Sequence, residues 1–152
     1  MPAFTHAFIV RAPLKAVADF HRHTRALRRL TPPPIWVQFH RLDPLGENSI
    51  SDFTLWFGPF PIRWTAQHSQ VDPLHGFTDT QIRGPLQSWV HTHSFEAIDP
   101  STTRIQESIT YEYPPGLRGW LARILYSSLP LRFLFTYRQI ITRLSLERKS
   151  PP

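Results

Sequence analysis

The sequence predicts an α+β fold, in which a curved antiparallel sheet of about seven strands wraps around a long C-terminal helix. Two short helices are expected after the first strand. Three observations predict this fold. Segments in which polar and apolar residues alternate recur through most of the chain. Turn-forming residues, mostly proline and glycine, separate these segments. The last thirty or so residues instead have apolar residues at helical spacing.

A strand over 3–10 opens the chain, and the first helix begins near Pro13, because a proline in the first helical turn loses no hydrogen bond. Three apolar residues mark the buried side of this helix: Leu14, Val17 and Phe20. A second short helix over 24–30 must end before the prolines that begin at Pro32, since proline interrupts a helix.

Six further strands are predicted over 35–41, 49–57, 62–71, 77–83, 88–98 and 104–113. Turn signals separate them at Asp43-Pro44, Gly58-Pro59, Asp72-Pro73 and Gly84-Pro85. A helical segment then begins at Leu117, and Pro130 is expected to kink or split it. The second half of this segment carries an apolar stripe that would lie on the sheet: Leu134, Tyr137, Ile141 and Leu144.

The composition bounds the class of protein. With 152 residues the chain is expected to form a single domain over 1–149, with 150–152 as a frayed tail. The absence of cysteine excludes disulfides, thiolate metal sites and cysteine nucleophiles. We find no signal-peptide pattern and no apolar run of about 18 residues, so a cytoplasmic protein is expected. Neither a phosphate-binding glycine loop nor a serine nucleophile elbow is present.

Three consecutive strands share a face on which aromatic and ionisable residues are mixed. Alternation places these residues on that face: Phe77, Asp79 and Gln81; Trp89, His91, His93 and Phe95; Ile105, Glu107, Ile109 and Tyr111. The opposite faces are rich in Ser, Thr and Gln, so the mixed faces are expected to point inward. Two histidines and two carboxylates among aromatic rings suit the lining of a pocket better than a dry core.

The turn positions predict which residues face each other across this surface. Asp79 is expected opposite His91, and His93 opposite Glu107, with Cβ atoms about 4.5–5.5 Å apart. Each histidine would then have its own carboxylate partner. The hairpin around Gly58 extends the same face with three further pairs: Leu55 with Trp64, Phe53 with Ala66 and Ser51 with His68.

The order of elements and several local patterns resemble the START-like (SRPBCC) superfamily, which has a helix-grip fold. It includes polyketide cyclase/dehydrase-type and coenzyme-Q-binding proteins, and the likeness is to its small bacterial members. The patterns are Ala12-Pro13 before Val17 and Phe20, Gly76-Phe77-x-Asp79, Trp89-x-His91-x-His93-x-Phe95, and Phe135-x-Tyr137-Arg138. The resemblance implies a deep, mostly apolar cavity between the sheet and the C-terminal helix. It supplies no catalytic motif, because one cavity fold hosts many functions.

The expected function is binding of a hydrophobic small molecule, such as a lipid, a quinone or a polyketide, without a cofactor. The residues expected to contact it are Phe53, Trp64, His68, Asp79, Gln81, Trp89, His91, His93, Phe95, Glu107, Ile109, Tyr111 and Tyr137. The two histidines and their carboxylates, Asp79 and Glu107, would form a polar floor. They could anchor the ligand, form a structural network, or act as acid and base in a cyclase/dehydratase-type enzyme.

Two other classes of function stay open. His91 and His93 with Asp79, Glu107 or His68 have the donors of a two-His-one-carboxylate metal site, although none is expected because no histidine follows His93. The net charge of +6 fits an ordinary solvated surface better than an anionic partner, although such a partner stays open. The apolar, arginine-bearing segment 117–135 could rest on a membrane surface, cover the cavity as a lid, or be buried against the sheet or a dimer partner. RNA or other nucleic acid is less favoured, and the sequence leaves the oligomeric state open.

Overall fold

A computed structural model describes residues 2–23 and 25–147; the predicted tail 150–152 lies outside them. The seven strands are β1 (Ala3–Val10), β2 (Trp36–Leu42), β3 (Ile50–Phe57), β4 (Phe60–Asp72), β5 (Gly76–Arg83), β6 (Ser88–Asp99) and β7 (Thr102–Glu112). The helices are α1 (Leu14–Arg22), α2 (Ala26–Arg29), α3 (Gly116–Tyr126) and α4 (Ser128–Leu146). The predicted α+β architecture is confirmed.

The strands form one antiparallel sheet in the order β1-β7-β6-β5-β4-β3-β2. Irregularities in the register interrupt the β2–β3, β4–β5 and β6–β7 pairs, and such bulges bend and twist a strand. The helix α4 contacts β1, and α1 contacts β6 and β7, so the inner face of the sheet is covered by helices. Two clusters of buried apolar residues form the core, one around Trp64, Trp89 and Phe135 and the other around Val17 and Phe95.

Two of the three predicted hairpin registers are confirmed. Asp79 lies opposite His91, and His93 lies opposite Glu107. The register predicted for the β3–β4 hairpin is wrong by two residues, because Phe53 lies opposite Trp64 rather than opposite Ala66. Gly58 has a φ of +60° and forms a two-residue turn, which is shorter than the loop expected up to Pro61. A slip of two residues preserves the inward face but changes every partner.

Gly76 sets the close approach of β5 to β6. Its φ of +131° is a conformation that side chains rarely allow, and a Cβ atom at this position would collide with the carbonyl group of His93. Glycine at this position lets β5 begin close beside β6 in the sheet. Three residues further along, Asp79 therefore reaches the two histidines of β6.

The C-terminal helical segment is split, as Pro130 predicts, but the break lies three residues earlier, at Ser127. Pro130 falls in the first turn of α4, where its missing N–H leaves no helical bond unmade. A continuous helix would have paired Pro130 with the carbonyl of Tyr126, and that carbonyl instead accepts a hydrogen bond of 3.0 Å from the Tyr113 hydroxyl. Among the described residues, no helix is long and apolar enough to cross a bilayer.

The buried stripe of α4 differs from the predicted one. Leu131, Phe135 and Thr142 are the buried residues of the helix, whereas the predicted stripe of Leu134, Tyr137, Ile141 and Leu144 is partly or fully exposed. The helix is therefore rotated about its axis relative to the prediction. This rotation turns Arg138 towards the sheet, at the 4–3–4 spacing set by Leu131, Phe135 and Thr142.

Candidate functional site

A cavity of about 540 Å³ lies between the inner face of the sheet and the helices α2 and α4. Its walls are mostly apolar, with Phe53, Trp64 and Trp89 on the sheet side and Leu27, Leu131 and Phe135 on the helix side. Trp64 meets Trp89 edge-to-face at a centroid distance of 5.4 Å, so the aromatic wall is packed rather than loose. The volume lies within the range of sites that bind small organic molecules.

Four ionisable residues from three adjacent strands meet at one end of the cavity. Asp79 of β5 and the two histidines of β6 line it, while Glu107 of β7 lies behind the histidines. His91 Nε2 lies 2.7 Å from Glu107 Oε2, and His93 Nε2 lies 2.9 Å from Asp79 Oδ2. The His91 ring lies against Phe135 and the His93 ring against Phe77, so the group lies between the two apolar clusters.

The hydrogen bonds run diagonally rather than straight across the strands. Asp79 is opposite His91 in register but bonds His93, and Glu107 is opposite His93 but bonds His91. Each carboxylate also approaches the second histidine: His93 Nδ1 lies 2.8 Å from Glu107 Oε2, although it makes no hydrogen bond there, and His91 Nδ1 lies 3.5 Å from Asp79 Oδ2. Each histidine therefore has its own hydrogen-bonded carboxylate, as predicted, but the partners are exchanged: Glu107 bonds His91 and Asp79 bonds His93.

The two histidines differ in protonation. Burial alone would lower the pKa of His93, but the facing charges of Glu107 and Asp79 outweigh it and raise the pKa to about 9. For His91, burial and the positive charge of His93 lower the pKa. His93 is thus an imidazolium at neutral pH, and His91 is neutral with its proton on Nε2. The bare Nδ1 of His91 faces Asp79, which fits the long distance of 3.5 Å.

The carboxylates stay ionised despite burial. Burial would raise the pKa of Asp79 and of Glu107, but the neighbouring histidines, through charge and hydrogen bonds, lower both values, that of Glu107 most strongly. Two negative charges and one imidazolium leave this group with one net negative charge.

Arg138 of α4 supplies the missing positive charge. Its Nε donates to the Leu30 carbonyl at 3.2 Å, and its guanidinium lies 5.0 Å from the centre of the Phe135 ring. The hydrogen bonds among the described residues give neither of its Nη groups an acceptor, and Arg138 is one of the residues that line the cavity. Burial lowers the pKa of this arginine, while Glu107 and Asp79 oppose the shift, so it remains charged. The polar end of the cavity is electrically neutral as a whole.

Two further histidines at the cavity are neutral. His21 of α1 places Nδ1 2.8 Å from the Val17 carbonyl, and its pKa is lowered to about 4, mainly by burial. Because a carbonyl only accepts, Nδ1 carries the proton and Nε2 is bare. His68 of β4 bonds Ser49 through Nδ1, and burial lowers its pKa as well.

Seven of the residues expected to contact a ligand line the cavity: Phe53, Trp64, His68, Asp79, Trp89, His91 and His93. Six others do not. Glu107 lies behind the histidines, and Ile109 and Tyr111 are buried in the core beneath the aromatic wall. Gln81 closes the β5–β6 loop by a 2.8 Å bond to the Leu86 carbonyl. Phe95 packs on His21 in the second cluster, and Tyr137 lies on the flank of α4.

Some of the residues missing from the predicted ligand-binding set lie on strands, such as Leu42, Phe57 and Phe77, but the largest omission is on the helices. His21, Leu131, Phe135 and Arg138 all line the cavity. Strand alternation assigns residues to the faces of a sheet, but it says nothing about where a helix crosses that sheet. The 4–3–4 spacing of Leu131, Phe135, Arg138 and Thr142 was a usable signal, although an arginine and a threonine hide it from a search for apolar stripes.

The polar end also has the donor atoms of a metal site, since one ligand atom each from Asp79, His91 and His93 lies within 4.8 Å of the others. The Nε2 atom of His93, however, is already joined to Asp79 by a 2.9 Å hydrogen bond, and a cation would have to displace its proton. We therefore assign these side chains to a hydrogen-bonded network.

Several solved structures share this architecture. The chain matches Zhui aromatase/cyclase from Streptomyces sp. R1128 with a TM-score of 0.78 and 14% identity, over 97% of this chain and 94% of that one. It matches norcoclaurine synthase from Thalictrum flavum, in complex with dopamine and hydroxybenzaldehyde, with a TM-score of 0.66 and 21% identity, over 99% and 89%. It also matches 48% of the di-domain ARO/CYC BexL, over 99% of this chain, with a TM-score of 0.69 and 17% identity.

No protein-family model matches the sequence, and no curated protein matches it. At these identities the structural likenesses establish the fold alone. The chain shares the helix-grip fold of these structures, which confirms the expected architecture.

Proposed function

We propose that this protein binds a hydrophobic small molecule in the cavity between the sheet and α4. The observation that carries the proposal is the pairing of a mostly apolar cavity of about 540 Å³ with a cluster of ionisable residues in its wall. Such a chamber favours a ligand with an apolar body and one oxygen-bearing end, because aromatic walls bind the body and a few polar groups fix its orientation.

The charge balance at the polar end narrows the ligand further. Asp79 and Glu107 carry two negative charges, and His93 and Arg138 carry two positive ones. A charged end group would upset this balance in a buried place, where an unpaired charge is costly. A ketone, quinone or phenol accepts hydrogen bonds from the Nη groups of Arg138 without adding a charge. We therefore favour quinone-like and polycyclic ketone ligands over fatty acids.

The first experiment is native mass spectrometry of the purified protein, followed by denaturing extraction of any bound molecule. Fluorescence titration with a naphthoquinone, an anthraquinone and a fatty acid then tests binding, since Trp64 and Trp89 line the cavity. Ala66→Phe places a ring inside the chamber and should abolish binding. Ala97→Phe, on the exposed end of β6, is its control and should bind normally. Equal binding by both variants would contradict a ligand site in this cavity.

A second candidate function, a cyclase/dehydratase-type enzyme, is favoured by the unequal protonation at the polar end. His93 is held as an imidazolium, while His21 and His91 are neutral. Neighbouring groups whose pKa values are pushed apart can serve as acid and base in one reaction. A neutral histidine could remove a proton next to a ketone, and His93 could protonate a departing hydroxyl group. The aromatase/cyclases of the same fold make poly-β-ketones the first substrates to test.

His93→Gln distinguishes an enzyme from a carrier. In a carrier the variant should bind quinones nearly as well as the wild type, and neither protein should convert a poly-β-ketone. In an enzyme the variant should bind the substrate but lose most of its turnover, by about 10²–10⁴-fold for a lost acid or base. Loss of folding alone, measured by circular dichroism, would mark the network as structural.

A further inference from the structure

The helix α3 and the start of α4 expose an unusual amount of apolar surface. We define the α3 face by six exposed residues: Leu117, Trp120, Leu121, Ile124, Leu129 and Phe133. Leu117 exposes 73% of its surface and Phe133 exposes 67%. The buried side of α3 is formed by small residues and Tyr126, so its large apolar residues point away from the core. A contiguous apolar surface of this kind marks a binding site for a partner.

The charged residues of α3 and α4 are all arginines. Arg118, Arg123 and Arg132 are exposed beside the α3 face, and the sequence contains no Asp or Glu between Tyr113 and Leu146. Some arginines elsewhere have carboxylate partners, since Arg41 pairs with Asp43 and Arg63 makes two bonds of 2.7 Å to Asp52. Others, such as Arg83 and Arg104, have no such partner among the described residues. The three arginines at the α3 face make no such pair among the described residues. These arginines are therefore available to an anionic partner, although Arg123 also lies 4.8 Å from the centre of the Tyr113 ring.

We propose that the α3 face docks on an anionic lipid bilayer. A membrane surface offers what this face lacks: an apolar layer for the leucine, tryptophan and phenylalanine side chains, and phosphate groups for the arginines. Trp120 is the type of residue that prefers the boundary between headgroups and acyl chains.

A second copy of the chain is a poorer partner for the α3 face than a membrane. In a twofold dimer the same surface faces itself, so Arg118, Arg123 and Arg132 of one copy would approach the same arginines of the other. Like charges brought together across an interface weaken association. A nucleic acid would supply phosphates, but it would leave most of the aliphatic side chains without an apolar partner.

The docking face adjoins the mouth of the cavity. Leu125, Leu129 and Phe133 are exposed at the surface and also line the chamber. A protein seated on a bilayer through this face would open its cavity towards the acyl layer. The ligand would then be exchanged with the membrane rather than with water. This conclusion rests on the ligand-binding function proposed above.

Flotation with lipid vesicles tests the proposal. The wild type should bind vesicles that contain phosphatidylglycerol, should bind pure phosphatidylcholine at least tenfold more weakly, and should dissociate as salt is added. The double variant Leu117→Asp/Trp120→Asp should lose vesicle binding, and Arg118→Gln should weaken it about fivefold. Neither Leu117 nor Trp120 lines the cavity. Phe60→Asp is the matched control, because Phe60, the first residue of β4, is 71% exposed, and the variant should bind vesicles as the wild type does.

Three results would overturn the docking proposal. They are failure of the wild type to bind anionic vesicles at low salt, equal loss of binding in the Phe60→Asp control, and a dimer that dissociates in Leu117→Asp/Trp120→Asp without any vesicle binding. Quinone binding in solution keeps the two proposals separate. If the double variant binds quinone but not vesicles, both stand; if the wild type binds vesicles but no ligand, only the cavity function fails.

Discussion

Glu107 lies outside the cavity, and its Oε2 accepts a 2.7 Å hydrogen bond from His91 Nε2. This bond determines which nitrogen of His91 carries the proton and leaves Nδ1 bare towards Asp79. The same oxygen lies 2.8 Å from His93. One buried carboxylate therefore sets the protonation of both histidines that line the cavity, although it need never touch a ligand.

Replacing Glu107 by Gln should affect both stability and protonation. The charge that holds His93 as an imidazolium is lost, and one acceptor oxygen of the network is replaced by an NH₂ group that can only donate. We expect a destabilisation of about 3 kcal/mol, typical of breaking a buried ion pair, measured by urea unfolding. The pKa of His93 should fall, as followed by NMR titration. Glu96→Gln, at an exposed position of β6, should change neither the free energy of unfolding nor the pKa of His93. An unaltered His93 pKa in Glu107→Gln would refute the assigned network.

The stability of the protein should pass through a maximum near pH 6.5. The pKa of His93 is raised from 6.5 to about 9, so its contribution is complete below pH 6.5 and is lost as the pH rises through about 9. The pKa of His21 is lowered from 6.5 to about 4, so its contribution is complete above pH 6.5 and is lost as the pH falls towards 4. The lowered pKa values of Asp79 and Glu107 add to the loss in acid.

The free energy of unfolding should fall by about 3 kcal/mol as the pH rises from 6.5 to 9, at roughly 1.4 kcal/mol for each unit by which the pKa of His93 is raised. Urea unfolding at intervals between about pH 5 and pH 9.5 measures it. In His93→Gln the decline above pH 6.5 should disappear while the decline in acid remains. A stability that keeps rising up to pH 9 in the wild type would show that His93 is not an imidazolium.

Arg138→Gln should weaken binding of a quinone about tenfold, since the guanidinium is the donor without an acceptor at the polar end. Binding of a hydrocarbon of the same size should change little, because the apolar walls are untouched. Arg132→Gln, on the exposed side of the same helix, is the control for the loss of charge. Isothermal titration calorimetry measures the affinity of both variants for the quinone and for the hydrocarbon. If Arg138→Gln weakened binding of the two ligands equally, Arg138 would have no role in recognising the quinone oxygen.

Phe135→Ala should destabilise the protein by about 3–5 kcal/mol, because Phe135 is 1% exposed and packs between Phe4 and His91. Phe133→Ala, two positions away on the same helix, should cost less than about 0.5 kcal/mol, since its side chain is mostly exposed. Urea unfolding of the pair checks the rotation of α4 about its axis. Similar losses in the two variants would contradict this orientation.

The sheet was more predictable than the site it supports. Alternation assigned the inward faces of β5, β6 and β7 correctly, because side chains in a strand change sides at every residue. The β3–β4 register failed at the turn: Gly58 and Pro59 form a two-residue loop, whereas Pro61 had suggested a longer one. A local error of two residues thus changed the partners along a whole hairpin.

The polar end could be predicted only in part. Asp79, His91, His93 and Glu107 come from paired strands, so their proximity followed from register. The diagonal hydrogen bonds did not, because side-chain rotamers decide between a facing and a neighbouring partner. His21 and Arg138 reach the same place from helices that lie more than a hundred residues apart in the chain, and no local pattern encodes how two such helices cross a sheet.

The first strand is completed only by the last elements of the chain. β1 pairs with β7, and Arg143 of α4 donates to the Ile9 carbonyl at 2.9 Å across 134 positions. A chain emerging from the ribosome therefore displays β1 long before its neighbours exist. Folding must wait for nearly the whole sequence, and closing so large a loop is slow, on the order of milliseconds to seconds. Until then, the first strand is an unpaired edge that other chains can capture.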